Sequence, residues 1–375
     1  MFNKDKFLSQ LGELINLDCG TYNVKGVEKV ADILETYFKE INFTTKRIAI
    51  SDKVGPLLIA TNKPDANEYD AVLIGHMDTV YEEGMVAKYS MRVEGNNVHG
   101  LGSIDMKSGI LTALHTIYAM DKSVLDELSL CFICNPDEEI SSKYSEEFMK
   151  EFILKAKCAL VMESAGQADA IVNKRKGISR FNVTFKGLSA HASTPWEGAS
   201  AIEEMSHFIL KLNEFNNKEK DTTMNVGTVT GGTAGNVVPD IASLEFEIRY
   251  FDMDSQKSMM EKINSFVAKP TINGVSIELN QVSFKPPMNN GAESQWLEDL
   301  VLAAAHEAKC KLEVISSGGG SDGNFSSYLG VPTIDGLGPV GKGWHNADIE
   351  VLYMDSVEGK INTLNNILTK LKDRK

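Results

Sequence analysis

The sequence predicts a two-domain α/β protein: a mainly parallel mixed sheet flanked by helices, interrupted by an inserted α+β domain of ferredoxin-like topology. Three observations predict it. Short, continuous apolar runs alternate with helical stripes at both ends of the chain, as strands buried under helices do. Near Gly177 the pattern changes to strict apolar/polar alternation, the mark of strands with one dry face. The chain has 375 residues, more than one hydrophobic core usually supports.

The elements follow in order. The start, Met1-Phe2-Asn3-Lys4-Asp5-Lys6, leads into an amphipathic helix without an apolar signal core, so a cytoplasmic protein is expected. Val27, Val30, Leu34, Tyr37 and Ile41 recur at helical spacing, as do Ile110, Leu114 and Ile117. The runs 57–60, 71–74, 128–134 and 159–162 read as buried strands. Phe181, Val183 and Phe185 then alternate with polar residues, and Ile202, Met205, Ile209 and Leu212 form a helical stripe. Strands are expected around 226–230 and 244–250, a helix over 254–268, and a strand at Val275, Ile277 and Leu279. Read in order this is β-α-β-β-α-β. It closes at the turn-prone stretch 285–291. Trp296, Leu300 and Ala304 suggest a helix, 331–334 a buried strand, and Val357, Ile361, Leu364 and Leu368 a terminal helix. The expected domains are therefore 1–177 with 288–375, and an inserted 178–287.

The 38 basic and 52 acidic side chains leave a net charge of −14, which argues against a nucleic-acid or anionic-membrane binder. No apolar run approaches the ~20 residues of a membrane span. Five cysteines suit a reducing compartment. Cys131 and Cys134 form a Cys-x-x-Cys, but no second pair follows at zinc-site spacing, and on a strand they point to opposite faces. They read as small core residues. Lys174-Arg175-Lys176 reads as a solvated charge cluster at the domain junction. His99, His115, His207 and His306 read as structural.

The chemistry gathers where apolar strands end. The run 71–74 leads into Gly75-His76-Met77-Asp78, the run 128–134 into Asp137-Glu138-Glu139, and 159–162 into Glu163. In α/β sheets ligands bind outside the carboxyl ends of strands, so three strands deliver imidazole and carboxylates to one edge. His76 is a candidate metal ligand, and Asp78, on the same strand face, is placed to accept its other ring N–H. Asp105 follows the glycine-rich turn from Gly100 and opens a helix; capping and metal bridging are both open for it. Of Glu138 and Glu139, one carboxylate can bind metal while its neighbour takes a proton from water.

These residues, together with Gly187-Leu188-Ser189-Ala190-His191, Asn236-Val237-Val238-Pro239, Glu247-Ile248-Arg249, Gly318-Gly319-Gly320-Ser321-Asp322 and His345, resemble the zinc-dependent aminoacylase and carboxypeptidase family of metallopeptidases. The resemblance spans nearly the whole chain and is strongest to bacterial glutamate carboxypeptidases. It implies two Zn²⁺ per subunit, with Co²⁺ or Mn²⁺ also suited to such ligands. Asp105 would bridge the ions, His76 and Glu163 would complete one site, and His345 and Glu139 the other. Glu138 would be the general base and Asp78 would orient His76. A non-proline cis peptide at Asp105–Met106 is also implied. The inserted domain becomes a lid and homodimerisation module, from which His191 reaches the partner's site as an oxyanion donor. Arg249 and Asn236 would hold the substrate's carboxylate, near backbone offered by Gly319 and Gly320.

The implied function is hydrolysis of a peptide or amide bond in a small substrate with a free carboxylate, by glutamate-carboxypeptidase-like action first. N-acyl-amino-acid deacylation of the acetylornithine or succinyl-diaminopimelate type, and tripeptidase action, use the same site. A non-catalytic binding protein on this fold is the reading from another class, and the intact ligand set disfavours it.

Overall fold

The structure is a computed structural model that describes residues 2–166 and 169–374. The chain divides into two units. The larger comprises Met1–Lys174, Met288–Ser317 and Ser321–Lys375; the smaller comprises Arg175–Pro287 with Gly318–Gly320, against the expected 178–287. No helix among the described residues is long and apolar enough to cross a membrane.

The larger unit is built on a six-stranded sheet ordered Thr44–Ile48, Leu57–Thr61, Leu130–Asn135, Ala71–His76, Ala159–Val161, Thr333–Ile334. Leu57–Thr61 runs antiparallel to both of its neighbours, and the remaining pairs are parallel. The apolar runs are continuous because both sheet faces are covered. Ala71 and Leu73 enter one core with Leu58, Ala60 and Phe132, while Val72 and Ile74 enter a second core with Leu57, Ile59 and Ile133. The same alternation sends Cys131 and Cys134 to opposite cores, and burial pushes the Cys134 thiol up to about 12. Neither cysteine is in a disulfide. The expected strand at 331–334 is reduced to Thr333–Ile334.

Helix Ser108–Ala119 is buried along its first ten residues, 108–117, and packs onto this sheet. Gly109 makes that approach possible: a Cβ there would lie 1.9 Å from the carbonyl oxygen of Met162. A second sheet, not anticipated from sequence, runs Gly341–Lys342, Val351–Tyr353, Asn97–His99, Arg92–Glu94.

The smaller unit has the expected β-α-β-β-α-β order. Its antiparallel sheet runs Thr223–Gly231, Ile241–Tyr250, Gly177–Lys186, Ser276–Lys285, with helices Ala201–Leu212 and Met253–Ala268. Phe181, Val183, Phe185, Leu244, Phe246 and Ile248 alternate into one core with Phe208. The cluster at 174–176 is not solvated as expected. Only Lys174 is exposed. Arg175 and Lys176 are each 6 % exposed; the Arg175 guanidinium donates to the Gly319 carbonyl at 3.2 Å and Lys176 pairs with Asp221 at 2.7 Å. A buried charge needs a partner, and the local charge run carries no sign of these distant ones.

Candidate metal centre

Strand register brings the first ligands together. Parallel pairing sets His76 opposite Asn135 and Ile74 opposite Val161. The residues just past these strand ends, Glu138, Glu139 and Glu163, therefore share one edge with His76. His345 arrives from elsewhere, in the loop of the hairpin Gly341–Lys342 and Val351–Tyr353. It holds a left-handed φ of 60°, uncommon for a residue with a side chain.

Asp105 stands at the centre. Its Oδ1 lies 3.1 Å from His76 Nε2 and its Oδ2 lies 3.2 Å from His345 Nε2. Glu163 Oε1 is 3.3 Å from the same His76 nitrogen, and Glu139 Oε2 is 3.2 Å from the same His345 nitrogen. His76, Asp105 and Glu163 are buried, whereas the His345 side chain is 58 % exposed. The Asp105–Met106 bond is cis.

The second ring nitrogen of His76 sits 3.0 Å from the main-chain oxygen of Asp78 and 3.4 Å from its carboxylate. A carbonyl only accepts, so Nδ1 carries the proton and Nε2 is free to ligate. The Asp78 carboxylate does other work, unseen in the sequence. It accepts the main-chain N–H groups of Glu138 and Glu139 at 3.2 Å each, and the Thr21 hydroxyl at 2.6 Å. Asp78 thus fixes both the ligand ring and the acidic turn.

The electrostatics follow from crowding. Burial, then the Asp105 charge, pushes the Glu139 carboxyl up to about 8. Burial likewise raises Glu163. Burial pulls His76 down, but Asp105, Asp78 and Glu163 outweigh it and hold the ring well above its usual range. Hydrogen bonds to Asp105 and Glu139 lift His345 to about 10. With no metal between them, the carboxylates favour the charged form of both rings. A donor set of imidazole nitrogen and carboxylate oxygen without thiolate suits zinc, cobalt or manganese. Ligand atoms of His76, Asp105 and Glu139 lie within 4.8 Å of one another, so the residues fit a metal.

The smaller unit holds the remaining expected residues. His191 is exposed, and its Nδ1 accepts the Ser193 main-chain N–H at 3.1 Å. A neutral ring then carries its proton on Nε2, as a donor would. Ala192 N–H donates to the Asn236 carbonyl at 3.0 Å, so the His191 and Asn236 segments lie side by side. Arg249 donates to Glu247 at 2.7 Å and to the Gly318 carbonyl at 2.8 Å, which sets its guanidinium against the segment of Gly319 and Gly320. In the larger unit, a cavity of about 450 Å³ adjoins Glu139, walled by Tyr22, Val80, Ile140, Glu82 and Glu83.

Two histidines and clustered carboxylates gathered at one edge of an α/β fold suit a metal-dependent hydrolase, the class to which the similar proteins belong. Residues 173–275 match the family of peptidase dimerisation domains of M20 type. Carboxypeptidase G2 of Pseudomonas sp. (strain RS-16) is 27 % identical over 359 residues, covering 94 % of this chain and 86 % of that one. Acetylornithine deacetylase of Buchnera aphidicola subsp. Acyrthosiphon pisum (strain 5A) is 27 % identical over 235 residues; the match covers 58 % of this chain and 60 % of that protein. Among solved structures, a tripeptidase from Staphylococcus aureus subsp. aureus mu50 superposes with a TM-score of 0.83 at 22 % identity, each chain covered fully. The chain thus carries a match to a peptidase dimerisation domain of M20 type and is similar over most of its length to metallopeptidases of that type.

Proposed function

We propose that the protein is a cytoplasmic, homodimeric, two-zinc exopeptidase that cleaves small peptides bearing a free carboxylate, with carboxypeptidase action first. One observation carries the reading: the two oxygens of Asp105 face two different histidines, each already paired with a further carboxylate. In this reading His76, Glu163 and Asp105 would hold one ion, and His345, Glu139 and Asp105 the other. Such ions supply Lewis acidity to the scissile carbonyl and to the attacking water.

The chain's own residues do the rest. Glu138, held by its main-chain bond to Asp78, takes a proton from the water as its oxygen bonds to the carbonyl carbon. It then delivers that proton to the amine as the C–N bond breaks. His191, arriving from a partner subunit, donates Nε2–H to the developing oxyanion. Arg249, with Asn236 and the backbone of Gly319 and Gly320, receives the substrate carboxylate; a planar guanidinium pinned on one side keeps its outer donors aligned. The match to carboxypeptidase G2 over most of both chains supports the carboxypeptidase choice. The shorter match to acetylornithine deacetylase supports deacylation as the second reading.

A panel of C-terminal glutamyl peptides, tripeptides and N-acetylated amino acids, assayed with added zinc, cobalt or manganese, tests this. The highest kcat/KM is expected on C-terminal glutamyl peptides. Preference for N-acetylated amino acids would replace the first reading with the second.

A further inference from the structure

Glu350 is 1 % exposed, yet both of its carboxylate oxygens are engaged by the chain itself. Oε2 accepts the Tyr81 hydroxyl at 2.7 Å and the Gly102 N–H at 3.1 Å. Oε1 accepts the Ile104 N–H at 3.1 Å and the Ser103 hydroxyl at 3.5 Å. These donors belong to segments that carry different ligands. Tyr81 continues the strand end of His76 and Asp78, and Gly102–Ile104 is the turn that delivers Asp105. Glu350 itself is anchored in the His345 loop, where its N–H donates to the Asn346 carbonyl at 2.9 Å.

We infer that Glu350 is a positioning residue that sets the spacing between Asp105 and His345, and so tunes the affinity of the cation site they share with Glu139. The inference rests on the two-cation reading above. Glu350 is not itself a ligand, since donors from two segments, Tyr81 and Gly102–Ile104, already fill its oxygens. Only an acceptor-only group satisfies them; a Gln amide would turn an NH2 toward an N–H or a hydroxyl. Partners that orient ligands change metal affinity by about 10–100-fold when lost.

Zinc chloride titrated calorimetrically into the metal-free parent, Glu350→Gln and Tyr81→Phe, below each variant's unfolding temperature, tests it. In Glu350→Gln one of two sites should weaken about 10–100-fold. The other should stay within about twofold of the parent, and kcat should recover at saturating zinc. Tyr81→Phe, which deletes one donor, should shift the same site in the same direction by less. Unchanged affinities, or equal weakening of both sites, would overturn the inference. If Glu350→Gln does not fold, Tyr81→Phe decides: an unchanged zinc profile overturns it. A parent that binds fewer than two zinc ions defeats the two-cation reading itself, and this inference with it.

Discussion

At the scale of single residues the geometry of the site depends on hydrogen bonds made within the chain. Asp78 gives its carboxylate to the Glu138 and Glu139 amides and to Thr21, and its main chain to the His76 ring. The pairing of Asp78 with His76 was legible from their spacing, but not its form: the strand ends at His76, and the main-chain oxygen of Asp78, rather than the expected carboxylate, lies nearest the ring. The hold of Asp78 on the acidic turn was not legible, because Thr21 and Glu138 are far from it in sequence. If Glu138 is the proton acceptor proposed above, Glu138→Gln should keep its metal content and lose about 10²–10⁴-fold in kcat. Metal content measured beside turnover checks this; a variant that keeps parental turnover would remove Glu138 from the chemistry. His115 makes a different prediction. Burial, then the nearby Lys6 ammonium, pushes it down to about 4, and it meets Gln10 at 2.8 Å. An unfolded chain would take a proton there near pH 6.5. Its depressed folded value therefore contributes stability above about pH 6.5 that is lost as pH falls toward 4. Urea midpoints at pH 7 and pH 5 should differ less for His115→Gln than for the parent. An equal difference would show that His115 plays no part.

At the scale of elements, legibility tracked strand length and covering. Runs such as Ala71–His76 and Leu130–Asn135 are six residues long and covered on both faces, so their identity could be read directly, while their ends, expected at 71–74 and 128–134, shifted by one or two residues. The sheet that joins the Asp105 turn to the His345 hairpin is built from strands of two and three residues. No alternation can show in so short a strand, so His345 entered only by resemblance. Its link to the rest of the site, through Tyr81 and Glu350, spans 269 positions. Gly109 shows the reverse case, a motif glycine whose reason appears only on packing. Gly109→Ala must push helix Ser108–Ala119 off the Met162 carbonyl beside Glu163. A stability loss of about 1–3 kcal/mol is expected, read as a lower urea midpoint. An unchanged midpoint would mean that this contact does not limit the approach.

At the scale of the molecule, the acidity that argues against nucleic acid is partly concentrated in one place. Asp78, Asp105, Glu138, Glu139 and Glu163 lie within a chain of net charge −14. In the metal-free protein the surrounding carboxylates favour protonation of His76 and His345, at nitrogens that metal would need. Metal and protons therefore compete, and apparent zinc affinity should fall as pH falls. The most direct measurement is turnover of a C-terminal glutamyl peptide by dialysed, metal-free protein as zinc is added stepwise. Activity should be negligible at the start and reach its plateau at two zinc ions per chain. Full activity without metal, or a plateau at one ion per chain, would contradict a site in which Asp105 bridges two.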